Sequence, residues 1–330
     1  MPKIVRFHAL GGPEVLKIEE QPTPEPKQGE VRIKVKAIGL NRAEWMFMHG
    51  QYLENPKLPS GLGYEAAGTI EAVGPDVDKK WLGKAVATIP SFSMNQYGMV
   101  GEEVIAPVYA LGEYPASLSP EQAAAIWMQY LTAYGALIEI APVKKGDFVL
   151  ITAASSSVGL AAIQIAKAEG ATAIATTRKS DKKKELLSLG ADHVIATEEE
   201  GLAARVLEIS GGKGARVIFD PVGGPTLEKL AEAVSAGGII IEYGALATQP
   251  TPFPLFAALA KGLTFRGYVL GEVTTHPEKL GKAKKYISER LADGRFSPKI
   301  AKTFPFAQTV QAYQYLESNA QVGKVVVTVP

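Results

Sequence analysis

The sequence predicts an α/β protein that combines a Rossmann-type, doubly wound parallel sheet of six strands with a smaller domain of short β-strands. From Phe148 onward, short apolar segments alternate with helical segments. Such β–α units form a parallel sheet with right-handed crossovers. Before Pro120 the chain carries many short strands bounded by Gly, Pro or Asp, which favours a barrel-like β domain. A length of 330 residues accommodates both domains.

The composition is typical of a globular protein that binds neither nucleic acid nor membranes. Hydrophobic residues make up 46% of the chain, and the formal net charge of +1 argues against a strong binder of phosphate backbones. The absence of cysteine excludes disulfides, thiolate metal sites and cysteine nucleophiles. No segment is predicted to span a membrane or to serve as a signal peptide. We therefore expect a cytoplasmic protein with a small-molecule substrate.

The N-terminal part is predicted to contain a hairpin, a long strand, a helix and further short strands. Lys3–Phe7 and residues 15–19 flank Gly11-Gly12-Pro13 and predict the hairpin. Residues 31–37 alternate apolar and basic side chains, as a half-buried strand does. Arg42–Met48 predicts the helix. The other predicted strands cover residues 68–73, 84–89 and 101–107.

The second part begins with a helix predicted over residues 121–137, for which Ser119 is the expected N-cap. The predicted strands of the parallel sheet cover residues 148–151, 172–177, 193–195, 217–220, 238–243 and 263–268. The predicted helices between them cover residues 158–169, 180–189, 200–210, 225–235 and 255–261. The last of these strands closes the six-stranded sheet. Mixed structure follows, with helices over 277–291 and 308–317 and strands over 300–304 and 324–329.

Residues 148–170 form the first strand, turn and helix of the predicted dinucleotide-binding unit. The turn contains Ser155, Ser156 and Ser157, and the helix opens at Val158-Gly159. A helix N-terminus offers free N–H groups and partial positive charge to a pyrophosphate. The serines either cap this helix or contact the phosphates, and the two interpretations are compatible. Gly159 is expected to allow close approach of the backbone.

The end of the second strand of such a unit distinguishes NADPH from NADH. An acidic residue there binds the ribose 2′-hydroxyl, whereas an arginine accommodates a 2′-phosphate. This strand ends at Thr177 and is followed by Arg178, Ser180 and Lys182, with no carboxylate in the deciding position. These side chains predict a site for the 2′-phosphate of NADPH. The alternative is that they form only a solvated helix start.

Several motifs together resemble the medium-chain dehydrogenase/reductase superfamily, in its zinc-independent quinone oxidoreductase branch. They are FHALGGPEVLKIEE, GLNRAEW, GLGYEAAGTIEAVG, LTAYGAL, AASSSVGLAAIQIAK, LGADHVI, VIFDPVGG and GKVVV. The resemblance implies a GroES-like β-barrel catalytic domain at residues 1–127, a Rossmann NADP-binding domain at 128–268, and a return to the catalytic domain at 269–330. It also implies an active-site cleft between the domains and a homodimer formed through Rossmann sheet edges.

The sequence departs from the zinc-dependent branch at the metal ligands. Asn41 stands where zinc alcohol dehydrogenases have a cysteine, and Tyr64 stands where they have the histidine of a Gly-His-Glu motif. Glu65 alone keeps the family's residue type. Because a catalytic zinc needs about three protein ligands, we expect no metal.

The resemblance implies hydride transfer from NADPH to a quinone or another α,β-unsaturated carbonyl. Such an acceptor needs hydrogen-bond donors for the oxygen that gains charge. Asn41, Tyr52 and Tyr64 are the candidates. The alternatives are that Asn41 caps the helix at Arg42 and that the tyrosines are partly buried core residues.

Further cofactor contacts are expected from the resemblance and from the predicted strand ends. Thr132, Tyr268 and Lys324 match residues near the cofactor in similar reductases. Tyr243 and Gly244 end a predicted strand, where the ligand crevice of such sheets lies. Lys324 is alternatively a surface lysine, Thr132 a helical threonine bonded to its own turn, and Tyr243 a cover for the sheet.

Two other functions remain open from the sequence. One is a zinc-type alcohol dehydrogenase with an atypical metal site. The other is an NADPH-binding protein without turnover.

Overall fold

The computed structural model describes residues 1–330, which form two compact units. One unit comprises Met1–Met128 together with Leu280–Pro330, and the other comprises Gln129–Lys279. The division predicted from the sequence placed the second boundary earlier, after residue 268.

The chain contains β-strands and α-helices that we number in chain order. The strands are β1 Lys3–Phe7, β2 Leu16–Glu20, β3 Glu30–Gly39, β4 Glu65–Val73, β5 Ala85–Thr88, β6 Glu103–Pro107, β7 Leu111–Gly112, β8 Phe148–Ile151, β9 Thr172–Thr177, β10 His193–Ala196, β11 Ala215–Asp220, β12 Val234–Glu242, β13 Thr264–Gly267, β14 Ile300–Pro305 and β15 Lys324–Thr328. The helices are α1 Arg42–Met48, α2 Pro120–Ala123, α3 Trp127–Tyr134, α4 Ser157–Ala168, α5 Lys183–Ser188, α6 Leu202–Ile209, α7 Thr226–Ala233, α8 Leu255–Lys261, α9 Gly271–Thr274, α10 Pro277–Ala292 and α11 Thr309–Glu317.

The first unit is built on a seven-stranded sheet centred on β3. Its order is β14-β15-β3-β4-β5-β7, and β6 also pairs with β3. The C-terminal strand β15 pairs antiparallel with β3, so residues from the two ends of the chain lie side by side. Along β3, Val31, Ile33 and Val35 are fully buried between more exposed neighbours, as the alternation in the sequence predicted.

The second unit contains the predicted six-stranded parallel sheet. Its order is β10-β9-β8-β11-β12-β13, and every neighbouring pair is parallel. This is the doubly wound order in which the chain reverses direction across the sheet between β8 and β11. Ligands of such sheets bind outside the carboxyl ends of the strands at that point. The strand order therefore indicates a ligand site at the loops that follow Ile151 and Asp220.

The prediction of one helix over residues 121–137 was wrong, because the segment contains two helices. Ser119 caps α2, accepting a hydrogen bond from the Gln122 amide at 3.3 Å, as expected. A second helix, α3, starts at Trp127, where the Met128 amide donates to Glu65 Oε1 at 2.9 Å. That buried carboxylate satisfies an amide that a continuous helix would bond internally. A wider π-helical turn, Gly135–Ile140, follows α3.

Candidate cofactor site and buried polar cluster

The serine turn, residues 153–157, caps helix α4 in the second unit. Ser156 is the N-cap, and its Oγ accepts a hydrogen bond from the Gly159 amide at 3.0 Å. Ser157 and Val158 are the first residues of the helix, where amides have no intrahelical partner. Capping by Ser156 therefore leaves N–H groups of the first turn for an anion.

Gly159 is required by the packing of α4 against the turn. A Cβ atom at this position would lie 2.6 Å from Ala154 Cα and 2.7 Å from its carbonyl oxygen. Ala153 adopts a φ of +44°, in the left-handed region that favours glycine. The turn thus keeps the tight course of a glycine-rich loop although it retains only one glycine.

A basic residue of the loop after β9 contacts the serine turn. Lys182 Nζ donates to Ser155 Oγ at 3.4 Å, which connects the loop after β9 to the turn. Burial lowers the pKa of Lys182; Asp181 opposes this effect and the neighbouring Arg178 adds to it. Arg178 itself is exposed. Arg178 and Lys182 therefore lie close enough to interact. Two neighbouring cations of this kind suit a dianionic phosphate, which accepts charge-assisted hydrogen bonds from both.

Ser180 and Thr177 make contacts that were not anticipated. The amide and the hydroxyl of Ser180 both donate to Glu199 Oε1, at 3.0 and 3.2 Å. The carbonyl of Thr177 accepts from the Thr197 amide at 2.8 Å. Ser180 is thus engaged by a carboxylate, and the cationic side chains of this loop include Arg178 and Lys182.

The end of β12 places Tyr243 and Gly244 at the carboxyl edge of the sheet. The Tyr243 ring stacks on Phe219, with centroids 3.9 Å apart and planes at 14°. Burial, together with the Asp220 carboxyl, raises the pKa of Tyr243. Gly244 is exposed, and a Cβ there would lie 2.8 Å from the Pro221 carbonyl oxygen. The Tyr243 ring therefore packs on the residue before the end of β11.

Thr132 and Tyr268 belong to the same part of the second unit. Thr132 lies on α3 and is buried. The Tyr268 hydroxyl donates to the Leu131 carbonyl at 3.3 Å, and a Cβ at Gly135 would lie 2.0 Å from that hydroxyl oxygen. The residue after β13 thus packs against the helix that carries Thr132.

In the first unit, Lys324 lies at the centre of a buried polar cluster. Its side chain is completely inaccessible to solvent, so the alternative of a surface lysine is wrong. Lys324 Nζ donates to Asn41 Oδ1 at 2.6 Å and to Glu65 Oε2. Asn41 Nδ2 in turn donates to Glu65 Oε2 at 3.2 Å. These contacts join the start of β15, the N-cap of α1 and the start of β4.

Glu44 is the second carboxyl group of this cluster. It accepts hydrogen bonds from the Asn41 amide at 2.9 Å, from Asn41 Nδ2 at 3.0 Å, from the Tyr64 amide at 3.2 Å and from the Tyr313 hydroxyl at 2.8 Å. Burial raises the pKa of Glu44, whereas these hydrogen bonds and the Lys324 charge lower it. Sequence reasoning missed both Glu44 and Tyr313. A Glu at the third position after an N-cap Asn was the available signal.

The two candidate tyrosines also lie together in the first unit. The rings of Tyr52 and Tyr64 are 6.4 Å apart at 61°, in an edge-to-face arrangement. Burial is the main cause that raises the pKa of each phenol. Tyr64 also contacts Phe92, at 5.8 Å between ring centroids. Because the Tyr64 amide binds Glu44, this aromatic pair is anchored to the buried cluster.

Neither unit assembles a set of metal ligands. No group of three or more His, Cys, Asp or Glu side chains is arranged to hold a metal ion. At the positions of the zinc ligands, Asn41 and Glu65 instead bind the Lys324 ammonium. The donor set therefore fits an internal cation and does not fit zinc.

Comparisons with known proteins assign the chain to a family. Residues 27–152 match the alcohol dehydrogenase GroES-like domain, and residues 157–285 match the zinc-binding dehydrogenase domain. Quinone oxidoreductase 1 of Escherichia coli (strain K12) is 35% identical over 323 residues, which cover 97% of each protein. The chain belongs to the quinone oxidoreductase family.

Two further similar proteins support the assignment of this chain to the family. Human quinone oxidoreductase is 32% identical and covers 98% of this chain and 97% of its own length. The crystal structure of Escherichia coli quinone oxidoreductase complexed with NADPH has a TM-score of 0.91 at 32% identity and covers 99% of both chains. The predicted superfamily, its branch and the predicted fold are thereby confirmed.

None of the helices combines the length and the apolar character that crossing a membrane requires.

Proposed function

We propose that this protein transfers hydride from NADPH to a quinone or another α,β-unsaturated carbonyl, without zinc. The observation that carries the proposal is the contact of Lys182, which lies close to the charge of Arg178, with Ser155 of the serine turn. The NADPH-bound relative of the same fold supports this cofactor. The named quinone oxidoreductases, similar over nearly the whole chain, support the reaction class.

The second unit supplies separate groups for the two phosphate sites of NADPH. Amides of Ser157 and Val158 and the positive end of α4 receive the pyrophosphate. Arg178 and Lys182 receive the 2′-phosphate through charge-assisted hydrogen bonds. Thr132 and Tyr268 are assigned to the nicotinamide end, and Tyr243 and Gly244 complete the edge of the sheet. NADH lacks the 2′-phosphate that Arg178 and Lys182 would bind, so these two residues predict a preference for NADPH.

The first unit supplies hydrogen-bond donors in place of a Lewis acid. When bound, NADPH supplies the hydride, and the reduced acceptor then takes up a proton. Tyr52 and Tyr64 form a hydroxyl pair that we assign to the acceptor oxygen as its charge develops. Asn41 directs its amide to buried carboxyls, so we assign it, with Lys324, to holding this region in place. Lys324 is accordingly a positioning residue in this proposal.

An acceptor that is already conjugated suits this arrangement. Oxidation of a simple alcohol requires strong polarisation of its oxygen, which zinc provides in the related dehydrogenases. The position of the metal is filled here by the ammonium of Lys324, whose donors are already bonded to Asn41 and Glu65. A quinone or enone accepts hydride with hydrogen-bond donors alone.

We further propose that the protein forms a homodimer through the β13 edge of its parallel sheet. This strand pairs only with β12, so its outer edge is free to pair. The adjacent helix α8 exposes Leu255, Phe256 and Leu259, at 51%, 86% and 72% of their surfaces. A contiguous apolar surface next to a free strand edge is typical of a subunit interface.

A substrate screen tests the proposed reaction. The purified protein is incubated with NADPH or NADH and a panel of quinones, enones and primary alcohols, before and after dialysis against a chelator, and its zinc content is measured. We expect NADPH oxidation with quinones or enones that survives chelation. Stoichiometric zinc whose removal abolishes activity contradicts the reaction proposed here. Tight NADPH binding without turnover on any acceptor favours a non-catalytic binding protein.

A further inference from the structure

Two carboxyl groups meet at the carboxyl edge of the parallel sheet, and the proposed reaction uses neither. Asp220 ends β11 and Glu242 ends β12, and the two residues are direct partners in the strand register. Asp220 is fully buried. Both carboxyls border Gly223, whose amide donates to Asp220 Oδ2 at 2.7 Å and whose Cβ position would lie 3.9 Å from Glu242 Oε2. Two buried carboxylates that are neighbours in this way repel each other, so one of them retains a proton.

The hydrogen bonds of Asp220 identify Glu242 as the protonated partner. Asp220 Oδ1 accepts from the Thr152 hydroxyl, and Oδ2 accepts from the Gly223 amide at 2.7 Å. Both of its oxygens therefore act as acceptors, as in an ionised carboxylate. Glu242 Oε1 is buried without a hydrogen-bond partner, a position that disfavours negative charge.

The other groups that face Glu242 do not compensate a charge on it. On β13 its register partner is Gly267. The next residue, Tyr243, has a buried hydroxyl without a hydrogen-bond partner, and its ring stacks on Phe219. Burial and the neighbouring Asp220 together raise the pKa of Glu242 to about 9.

The pair is connected directly to the serine turn. Thr152, which donates to Asp220, is the residue immediately before residues 153–157. The Thr152 amide also donates to the Phe219 carbonyl at 3.2 Å, next to Asp220. Any change in the charge or orientation of Asp220 is therefore transmitted to the turn within one residue.

We propose that Glu242 carries a proton shared with Asp220, and that cofactor binding at the serine turn requires this proton. The inference rests on the proposed function, because it concerns the same cofactor site. Loss of the proton places two negative charges beside the strand that leads into the pyrophosphate turn. It also makes the carboxyls repel each other, which displaces Asp220 from Thr152. Both effects oppose the binding of an anionic cofactor.

The variant Glu242→Gln tests the requirement, because glutamine keeps an N–H donor for Asp220 and has no proton to lose. NADPH affinity is measured by fluorescence titration at about pH 7.5 and about pH 10. If only the protonated form binds, the apparent Kd of the natural protein rises about tenfold at one pH unit above a pKa near 9. We expect Glu242→Gln to lack this rise. Lys182 titrates in both proteins, so the ratio of their Kd values isolates Glu242.

Glu228→Gln is the matched control, since Glu228 is an exposed carboxylate on α7 of the same unit. We expect it to follow the natural protein at both pH values. A Kd ratio between the natural protein and Glu242→Gln that stays constant with pH overturns the proposal. Absence of NADPH binding at pH 7.5 instead overturns the proposed function.

A second measurement, without cofactor, tests the shared proton by itself. A carboxyl whose pKa is raised from 4.5 to about 9 on folding binds a proton in the folded state across that range. The folded state then holds more protons than the unfolded state, so stability falls as pH rises through this window. We expect the natural protein, but not Glu242→Gln, to show this fall in its thermal midpoint. Parallel curves for the two proteins show that Glu242 holds no such proton.

Discussion

Replacing Lys324 with methionine should destabilise the first unit more than any exposed substitution. Methionine has a similar length and fills the space, but it removes the ammonium that binds Asn41 and Glu65. Lys324 and Glu65 are both almost inaccessible, with side-chain exposures of 0% and 1%. Removing one partner of such a buried pair costs about 3–5 kcal/mol, because an uncompensated charge remains. Glu44 is also fully buried, and in the variant it too loses the nearby charge of Lys324.

Calorimetry measures the expected loss as a shift in thermal midpoint. For a unit of this size, 1 kcal/mol corresponds to about 2–4 °C, so Lys324→Met should lower the midpoint of the first unit by about 6–20 °C. Lys36→Met, on the exposed face of β3 in the same unit, is the control and should change stability by less than about 0.5 kcal/mol.

The double variant Lys324→Met/Glu65→Gln separates the ion pair from packing. Removing both charges leaves no uncompensated carboxylate at Glu65, so most of the lost stability should return. A fall of less than about 3 °C in the single variant means that the buried pair contributes little to stability. No recovery in the double variant means that packing, and not charge, is the cause. Either result refutes the reasoning from the buried ion pair.

Three further predictions concern the cofactor, the acceptor and the dimer. Arg178→Ala should weaken NADPH binding by about 1–3 kcal/mol, the range of a hydrogen bond to a charged group, and leave NADH binding unchanged in fluorescence titrations; equal weakening of both contradicts the 2′-phosphate site. Tyr52→Phe should lower kcat for the best quinone or enone by about 10–100-fold, as loss of an oxyanion donor does, with unchanged NADPH affinity; unchanged turnover in steady-state assays removes Tyr52 from the reaction. Leu259→Lys should convert the dimer to a monomer in sedimentation velocity experiments, whereas Leu53→Lys, at an equally exposed leucine of the first unit (76% exposed), should not; a natural protein that sediments as a monomer contradicts the interface.

The elements that sequence reasoning predicted well depend on local signals. Residues adjacent in the chain determine the strand before the serine turn and the N-cap of helix α4. They also determine the need for Gly159. The six parallel strands follow from a repeated alternation of apolar and helical segments. The prediction of a single helix over residues 121–137 was wrong because the break between α2 and α3 depends on Glu65. This residue is far away in sequence and accepts a hydrogen bond from the Met128 amide. Local helix propensity contains no information about that contact.

The two carboxyl-containing clusters were missed for the same reason. Asp220 and Glu242 read as the polar ends of two apolar strands, and only the register of β11 and β12 makes them neighbours. The sequence identified Asn41 and Glu65 as vacant zinc-ligand positions, yet it placed Lys324 elsewhere. Their contacts with Lys324 span separations of 283 and 259 residues. A single sequence does not report contacts at that distance.

The buried cluster supplies a cation to the Glu65 carboxylate in the form of the Lys324 ammonium. A carboxylate such as Glu65 is costly to bury unless a cation or several hydrogen bonds accompany it. Zinc meets that requirement in the related dehydrogenases, and the Lys324 ammonium meets it here. Strand β15 brings this lysine to the site because it pairs with β3, the strand that leads to Asn41. An ammonium group donates hydrogen bonds and offers no open coordination position for a substrate oxygen. In the reaction proposed above, the hydroxyls of Tyr52 and Tyr64 polarise the acceptor. Substitutions at these two residues should therefore change turnover without changing cofactor affinity.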